Sequence, residues 1–335
     1  MSRVSTRASL LRVVVVSVFV LVLLILASLA IGAGDVTPGR VLSLLLGADD
    51  SEAWFVVGGL RWPRTLLAIC VGAGLGVAGV ALQTATRNPL AEPGLLGVSA
   101  GASFAVVLAI QFGASAATVG PWVAVAGAFL GCMLVLATTR IGGVGEDPVR
   151  LVLAGAAFSG ILTSISTLIL LRDQRSADEI RFWIIGALGG RPPESLAWGL
   201  AGLMLGLLVL LPAIRPLAAL MLGEQVARGL GHHPQWTRLL ALVSVAILVG
   251  TATAVAGPIA FIGLVVPFVA RRLVGPDLRR ALVASLLLGP CVVLLADVLS
   301  RLAVRPYELP VGVVTAFIGA PVLIAVVRGH RLARL

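Results

Sequence analysis

The run LLRVVVVSVFVLVLLILASLAIGAG, residues 10–34, carries a single charge, Arg12. A helix crosses the hydrocarbon core of a bilayer with roughly 20 mainly apolar residues, so this stretch reads as a membrane span. It exceeds a signal-peptide core and shows no clear cleavage site, and it is expected to be the first span. The pattern recurs along all 335 residues, which are 59% hydrophobic and 12% charged, with a mean hydropathy of +1.08. The composition predicts an all-α, polytopic membrane protein with one transmembrane domain over residues 1–335. Ten spans are expected, at about 10–33, 65–85, 94–112, 120–140, 149–171, 195–213, 236–256, 261–274, 281–303 and 310–328.

An even number of spans puts both termini on one side. Sixteen of the 25 arginines fall on that side and nine on the other. Five acidic residues share the terminal side, nine oppose it, and Asp297 lies within a span. The positive-inside rule then predicts cytoplasmic termini. The basic balance is a topology signal, and nothing calls for nucleic acid. Outer loops are expected at 34–64, ending in RWPR, and at 172–194, with a short surface or inward-dipping helix in SADEIRFWIIGAL. The longest cytoplasmic loop is 214–235.

Several chemistries are excluded. The chain has no lysine, and a P-loop needs one to reach the phosphates; ATP hydrolysis by that route is ruled out. GAGLGVAG (72–79) superficially looks like a nucleotide loop, but inside an apolar run it reads as close helix packing through Gly72 and Gly76. Cys70, Cys132 and Cys291 are scattered, and His232, His233 and His330 fall in aqueous segments. No disulfide framework, metal site or cofactor is expected, and a bare metal ion would find no ligands.

Four stretches stand out against the apolar background. RNPLAEPGLLGVSAGAS (87–103) breaks the chain at the cytoplasmic surface, where Pro89 and Pro93 stop a helix. It reads either as a turn followed by a tightly packed helix or as a gate, with Asn88 and Leu90 at the inner mouth. LGEQVARGLG (222–231) reads as a short amphipathic helix ended by Gly229 or Gly231, either a connector or a docking helix for a soluble partner. Arg61, Arg64 and Arg301 lie at the outer ends of spans, where the positive-inside rule disfavours cations. They either snorkel and pair locally, as Asp297 and Arg301 at i, i+4 can, or form an outward ring that captures carboxylates on a docking protein. For Asp297 a structural link to Arg301 is preferred over a proton relay. GPIAFIGLVVPFVARRLVG (257–275) reads as a short, bent span, either facing a translocation path or merely packed.

These motifs, with ADVLSRL and ELPVGVVTAFIGAPVLIAVV near the C-terminus, resemble in order and spacing the FecCD-type permeases of bacterial ABC importers. The resemblance covers nearly the whole chain and is nearest to permeases for catecholate siderophores such as ferric enterobactin. It implies a type II ABC importer permease fold in the bacterial inner membrane, multi-pass and non-catalytic. It implies two ATP-binding subunits below, a second permease chain (identical or homologous), and a periplasmic or lipoprotein substrate-binding protein above. It implies a ferric siderophore as cargo, with haem or cobalamin as alternatives. By the same resemblance Arg61, Arg64 and Arg301 engage the binding protein, and Asn88 and Leu90 form the cytoplasmic gate. Leu222, Gly223, Glu224, Ala227, Gly229, Leu230 and Gly231 would couple to the ATPase. The chain departs from cobalamin permeases at GEDPVR (145–150), where those place small hydroxyl residues; half of the gate is left unassigned and cobalamin is disfavoured. An ion-coupled secondary transporter is the competing class, and would need a buried coupling site beyond Asp297.

Overall fold

The computed structural model describes residues 2–32, 36–114, 121–141, 148–172, 185–304 and 307–328. Among these, all regular structure is helical. Helix α1 (Ser2–Ala30) is followed outside by α2 (Pro38–Leu45), α3 (Ser51–Trp54) and a π-helical segment (Phe55–Arg61) that runs directly into α4 (Trp62–Ala85). Then come α5 (Val98–Gln111), α6 (Pro121–Ile141), α7 (Pro148–Arg172) and α8 (Glu194–Leu210). The last group is α9 (Ile214–Met221), α10 (Glu224–Gly229), α11 (Pro234–Ala256), α12 (Ile262–Val274), α13 (Leu278–Ala303) and α14 (Val311–Arg328).

All ten expected spans are helices. Six are long and apolar enough to cross a membrane alone, and Val98–Gln111, Trp122–Val135 and Val311–Ile324 are shorter apolar helices. The tenth, α12, has only 13 residues and two arginines in its last turn. The outer loop 34–64 is more ordered than expected. Thr37 accepts from the Arg40 N–H to cap α2, and Asp50 accepts from the Ala53 N–H to cap α3, so both helices start on local side-chain acceptors. Of the segment SADEIRFWIIGAL, residues 176–184 lie outside the described residues.

Helix α4 is the hub, with 89% of its most apolar window buried. It touches α8, α11, α12 and α13. In lipid no hydrophobic effect drives apolar helices together, so close backbone approach through small residues takes its place. A Cβ added to Gly72 would sit 2.6 Å from the Gly289 carbonyl carbon of α13, and one on Gly76 would sit 2.8 Å from the Ser285 oxygen. GAGLGVAG is therefore a helix-packing stripe. Gly101 of α5 meets Gly127 and Gly131 of α6 in the same way, which accounts for the small residues after Gly97. Lipid-facing surface is left to helices such as α1, where Leu11, Val15 and Phe19 are exposed.

A 13-residue helix spans about 20 Å, less than the ~30 Å core. The irregular residues 257–261 before α12 must therefore lie at membrane depth, where backbone polar groups need protein partners. They have them. Ala187 N donates to Ala256 O (2.8 Å), Gly312 N to Gly186 O (3.1 Å) and Gly257 N to Thr253 O (2.8 Å). Segment 185–191 thus stitches the end of α11 to the start of α14.

Candidate functional site

At the end of the bundle where α1 finishes, expected from the sequence to be the outer one, Asp297 on α13 has no exposed surface. Its Oδ1 accepts from Arg64 Nε (2.9 Å) and faces Arg64 Nη2 (2.8 Å), while its Oδ2 accepts from Arg301 Nη2 (2.6 Å). Arg301 also donates to Ser28 O (2.8 Å), Ile31 O (2.6 Å) and Ser28 Oγ (2.8 Å). Arg61 donates to Leu29 O (2.8 Å), Ala30 O (3.1 Å) and Val36 O (3.0 Å). A hydroxyl chain closes the group: Thr65 Oγ1 donates to Arg61 O and takes the Ser28 Oγ proton, both at 2.8 Å.

Two of the three outer arginines therefore cap the C-terminal carbonyls of α1, where cations are favoured by unsatisfied oxygens and the helix dipole. This accounts for the guanidiniums gathered at this end of the bundle. Of the two readings of these arginines, local pairing describes Arg61 and Arg301. Arg61 is 5% exposed and Arg301 1%, so neither is a free fork at the surface. Only Arg64 reaches outward, through Nη1 to Glu308 Oε2 at 2.7 Å. The Asp297–Arg301 link was legible as an i, i+4 pair; the Arg64 link, 233 positions away in sequence, was not.

At the inner end, α4 stops in a Schellman motif: Arg87 N donates to Thr84 O (3.2 Å) and Asn88 N to Gln83 O (3.1 Å). The position that usually holds glycine is Arg87, at φ 52°. Asn88 is buried, and its Oδ1 accepts from Leu90 N at 2.9 Å, turning the chain toward Pro93. Glu92, also buried, accepts from the Phe261 N–H that precedes α12. Phe261 is the other non-glycine residue with positive φ, 68°, among the described residues. Pro93 packs on Gly263, where a Cβ would lie 2.7 Å from the proline Cδ. Gln83 bridges Arg271 and Gly263 O. The break at 87–93 is thus bonded directly to the break at 257–261, and strained backbone held by its surroundings is typical of elements that move. Sequence reading singled out Asn88 and Leu90 here and gave no role to Glu92, Gln83, Phe261 or Arg271. Glu92 carried a signal, being an acid between two prolines in an apolar context.

The loop 214–235 forms α9 and α10. Helix α10 starts after Gly223 (φ 118°) and ends in a second Schellman motif, with Gly231 N bonded to Arg228 O (2.9 Å) and His232 N to Ala227 O (3.0 Å). Gly231, at φ 79°, is the terminator, and Gly229 lies inside the helix. Glu224 pairs with Arg238 (2.6 Å) and Arg228 (3.4 Å). Val226 and Leu230, one helical turn apart on α10, are exposed and form an apolar patch, and Leu222, just before the Gly223 break, is exposed too. Ala227 is buried against the protein and not on that patch; Val226 belongs there and was missed.

Along α7, Thr163, Ser164 and Thr167 are exposed beside Ile161 and Leu168. Ser164 and Thr167 donate back to the carbonyls four residues earlier, both at 2.8 Å. Hydroxyls on an open transmembrane face suit a path wall or a helix partner better than lipid. Among the described residues no group of three or more His, Cys, Asp or Glu side chains comes together to hold a metal, and residues 145–147 of GEDPVR fall outside them.

Comparison with known proteins agrees in extent and in kind. The profile of the FecCD transport family matches residues 20–329. The chain is 45% identical over 312 residues to the ferric enterobactin transport system permease protein FepD of Escherichia coli (strain K12), covering 92% of this chain and 93% of that one. It is 37% identical over 307 residues to the iron(3+)-hydroxamate import system permease protein FhuB of Bacillus subtilis (strain 168), covering 91% and 79% respectively. A solved inward-facing metal-chelate type ABC transporter superposes with a TM-score of 0.77 at 29% identity, over 95% of this chain and 99% of that one. A helical membrane bundle with these breaks, matched over residues 20–329 by the family profile, has one assignment: the chain belongs to the FecCD transport family.

Proposed function

We propose that this chain is the translocation subunit of an ATP-driven importer and carries a ferric siderophore, of the catecholate, enterobactin-like class, into the cytoplasm. The observation that carries the reading is the exposed Val226–Leu230 face of α10, with exposed Leu222 just before it, on the basic loop 214–235 of a chain with no P-loop lysine. A transporter without its own motor needs such a surface, and an apolar helix face laid in a groove is the common way to build one. Two ATPase subunits dock there. The termini lie on the same, cytoplasmic side. A second permease chain faces α7 and α14, whose Leu153, Ile161, Leu168 and Phe317 are exposed. The binding protein docks at the outer end, where Arg64 is the arginine within reach, and Asn88 with Leu90 closes the inner mouth. The subunit is non-catalytic, and its motion is driven through α10.

An ion-coupled mechanism is less well supported. Asp297 is held by two guanidiniums and is not a free proton carrier. Uptake of radiolabelled ferric enterobactin into proteoliposomes tests the proposal, using the permease with its ATPase, binding protein and any second permease. ATP-dependent accumulation is expected. Uptake without the ATPase would refute the mechanism; acceptance of haem or cobalamin in place of the siderophore would refute the cargo.

A further inference from the structure

The Arg64 guanidinium is shared between two carboxylates of different accessibility. Its Nε and Nη2 are bound by Asp297, with no exposure, and its Nη1 by Glu308, whose side chain is 36% exposed. Among the described residues the outer cluster holds three cations (Arg61, Arg64, Arg301) and two anions (Asp297, Glu308), so it carries one excess positive charge. Arg61 and Arg301 are spent on buried carbonyls and on Asp297. An acidic group arriving from outside can therefore meet the cluster through Arg64, whose Nη1 is already occupied by Glu308.

We infer that Glu308 is a built-in stand-in for an acidic side chain of the docking partner, and that docking proceeds by exchange of one carboxylate for another on Arg64 Nη1. This rests on the reading above that a soluble binding protein docks at the outer end. Exchange keeps the charge of the cluster unchanged and leaves Arg64 bound to Asp297, so no buried charge is stranded. The half-exposed Arg64–Glu308 contact is the weak link of the network.

The displaced residue is well placed to report the event. Glu308 lies three residues before α14, and the neighbouring Leu309 N–H is bonded to Ser300 O at 3.0 Å. Gly189 lies over the pair: a Cβ there would be 2.8 Å from Arg64 Nη1 and 3.5 Å from Glu308 Oε2. The same segment holds Gly312 of α14 through Gly186 O and the end of α11 through Ala187 N. Releasing Glu308 loosens the start of α14 and segment 185–191 together, next to the irregular backbone at membrane depth.

The test is binding of the purified substrate-binding protein to the complete permease–ATPase complex in nanodiscs, at two salt concentrations. The complexes carry wild type, Glu308→Gln or Glu308→Asp, each checked for folding by thermal unfolding. Gln fills the same space without the competing charge, so docking should tighten by about fivefold, the scale of a partly exposed ion pair, while Asp stays near wild type. Unchanged or weaker docking of a folded Glu308→Gln complex overturns the inference. If wild-type docking is itself absent or indifferent to salt, the outer-end docking reading fails as well. Salt-sensitive wild-type docking with no gain from Glu308→Gln removes the stand-in role alone.

Discussion

Replacement of Asp297 by Asn probes the outer cluster at its centre. Asn preserves shape and one acceptor oxygen, removes the charge, and turns the other terminal atom into a donor facing a guanidinium. The cluster then moves from one excess positive charge to two, all of it buried or nearly so. Removing one partner of a buried pair costs about 3–5 kcal/mol, because the remaining charge is left uncompensated. Here Arg64 keeps Glu308 at 2.7 Å and Arg301 keeps the Ser28 and Ile31 carbonyls, so the expected loss is near the lower end, about 3 kcal/mol. Equilibrium unfolding in mixed micelles, with steric trapping to define the unfolded state, measures it. The pairwise replacement Asp297→Leu with Arg301→Met removes one charge of each sign and should recover at least half of the loss, since buried pairs are often replaceable by apolar residues of similar volume. A single variant within about 1 kcal/mol of wild type, below the buried-pair range, would refute the reasoning, as would a double variant no better than the single. Turnover per folded molecule gives the second reading. A structural Asp297 leaves it close to wild type, whereas a proton-coupling Asp297 would leave a stable protein that does not transport.

Other consequences follow from the same geometry. Gly72→Ala places a Cβ 2.6 Å from backbone of α13; the helices must part by several tenths of an ångström, at about 1–3 kcal/mol of stability, seen as a lowered unfolding midpoint. Arg87→Gly relieves a left-handed arginine and should stabilise the chain by about 1–2 kcal/mol, while closing of the inner mouth, read by cysteine accessibility at position 90, becomes less complete. Gly231→Trp strains a φ of 79° in otherwise open space, so it should unwind the end of α10 and lower transport-coupled ATPase activity. Gly229→Ala, inside the helix with nothing near it, should leave coupling intact. The Arg40 side chain, with help from the Ala53 N–H, holds the Asp50 carboxyl below the usual aspartate range. A depressed carboxylate pKa stabilises above its unfolded value and is lost as pH falls through the folded value. Hydrogen-exchange protection of Ala53 should therefore persist at about pH 5 and fade only in stronger acid, whereas Asp50→Ala, which removes the capping acceptor, should lack it at neutral pH.

The membrane character, ten spans and positions of the breaks were legible in the linear chain because each depends on local quantities. Length and hydropathy decide a span, proline and glycine decide an interruption, and arginine placement predicts orientation. The Gly72–Gly76 stripe, the Gly231 terminator and the Asp297–Arg301 pair belong to the same class, since their partners are one helical turn away or are any close backbone.

Tertiary structure alone decided which arginine faces outward. Arg61 and Arg301 reach the end of α1 across 31 to 32 and 270 to 273 positions, and Arg64 reaches Glu308 across 244. No periodicity in sequence encodes such pairs, because a guanidinium at a helix end is equally satisfied by carbonyls, a carboxylate or water until packing removes two of the three. The bond from Glu92 to Phe261 is of the same kind: it exists because a 13-residue helix leaves its first N–H groups inside the membrane, where only a neighbouring segment can supply an acceptor.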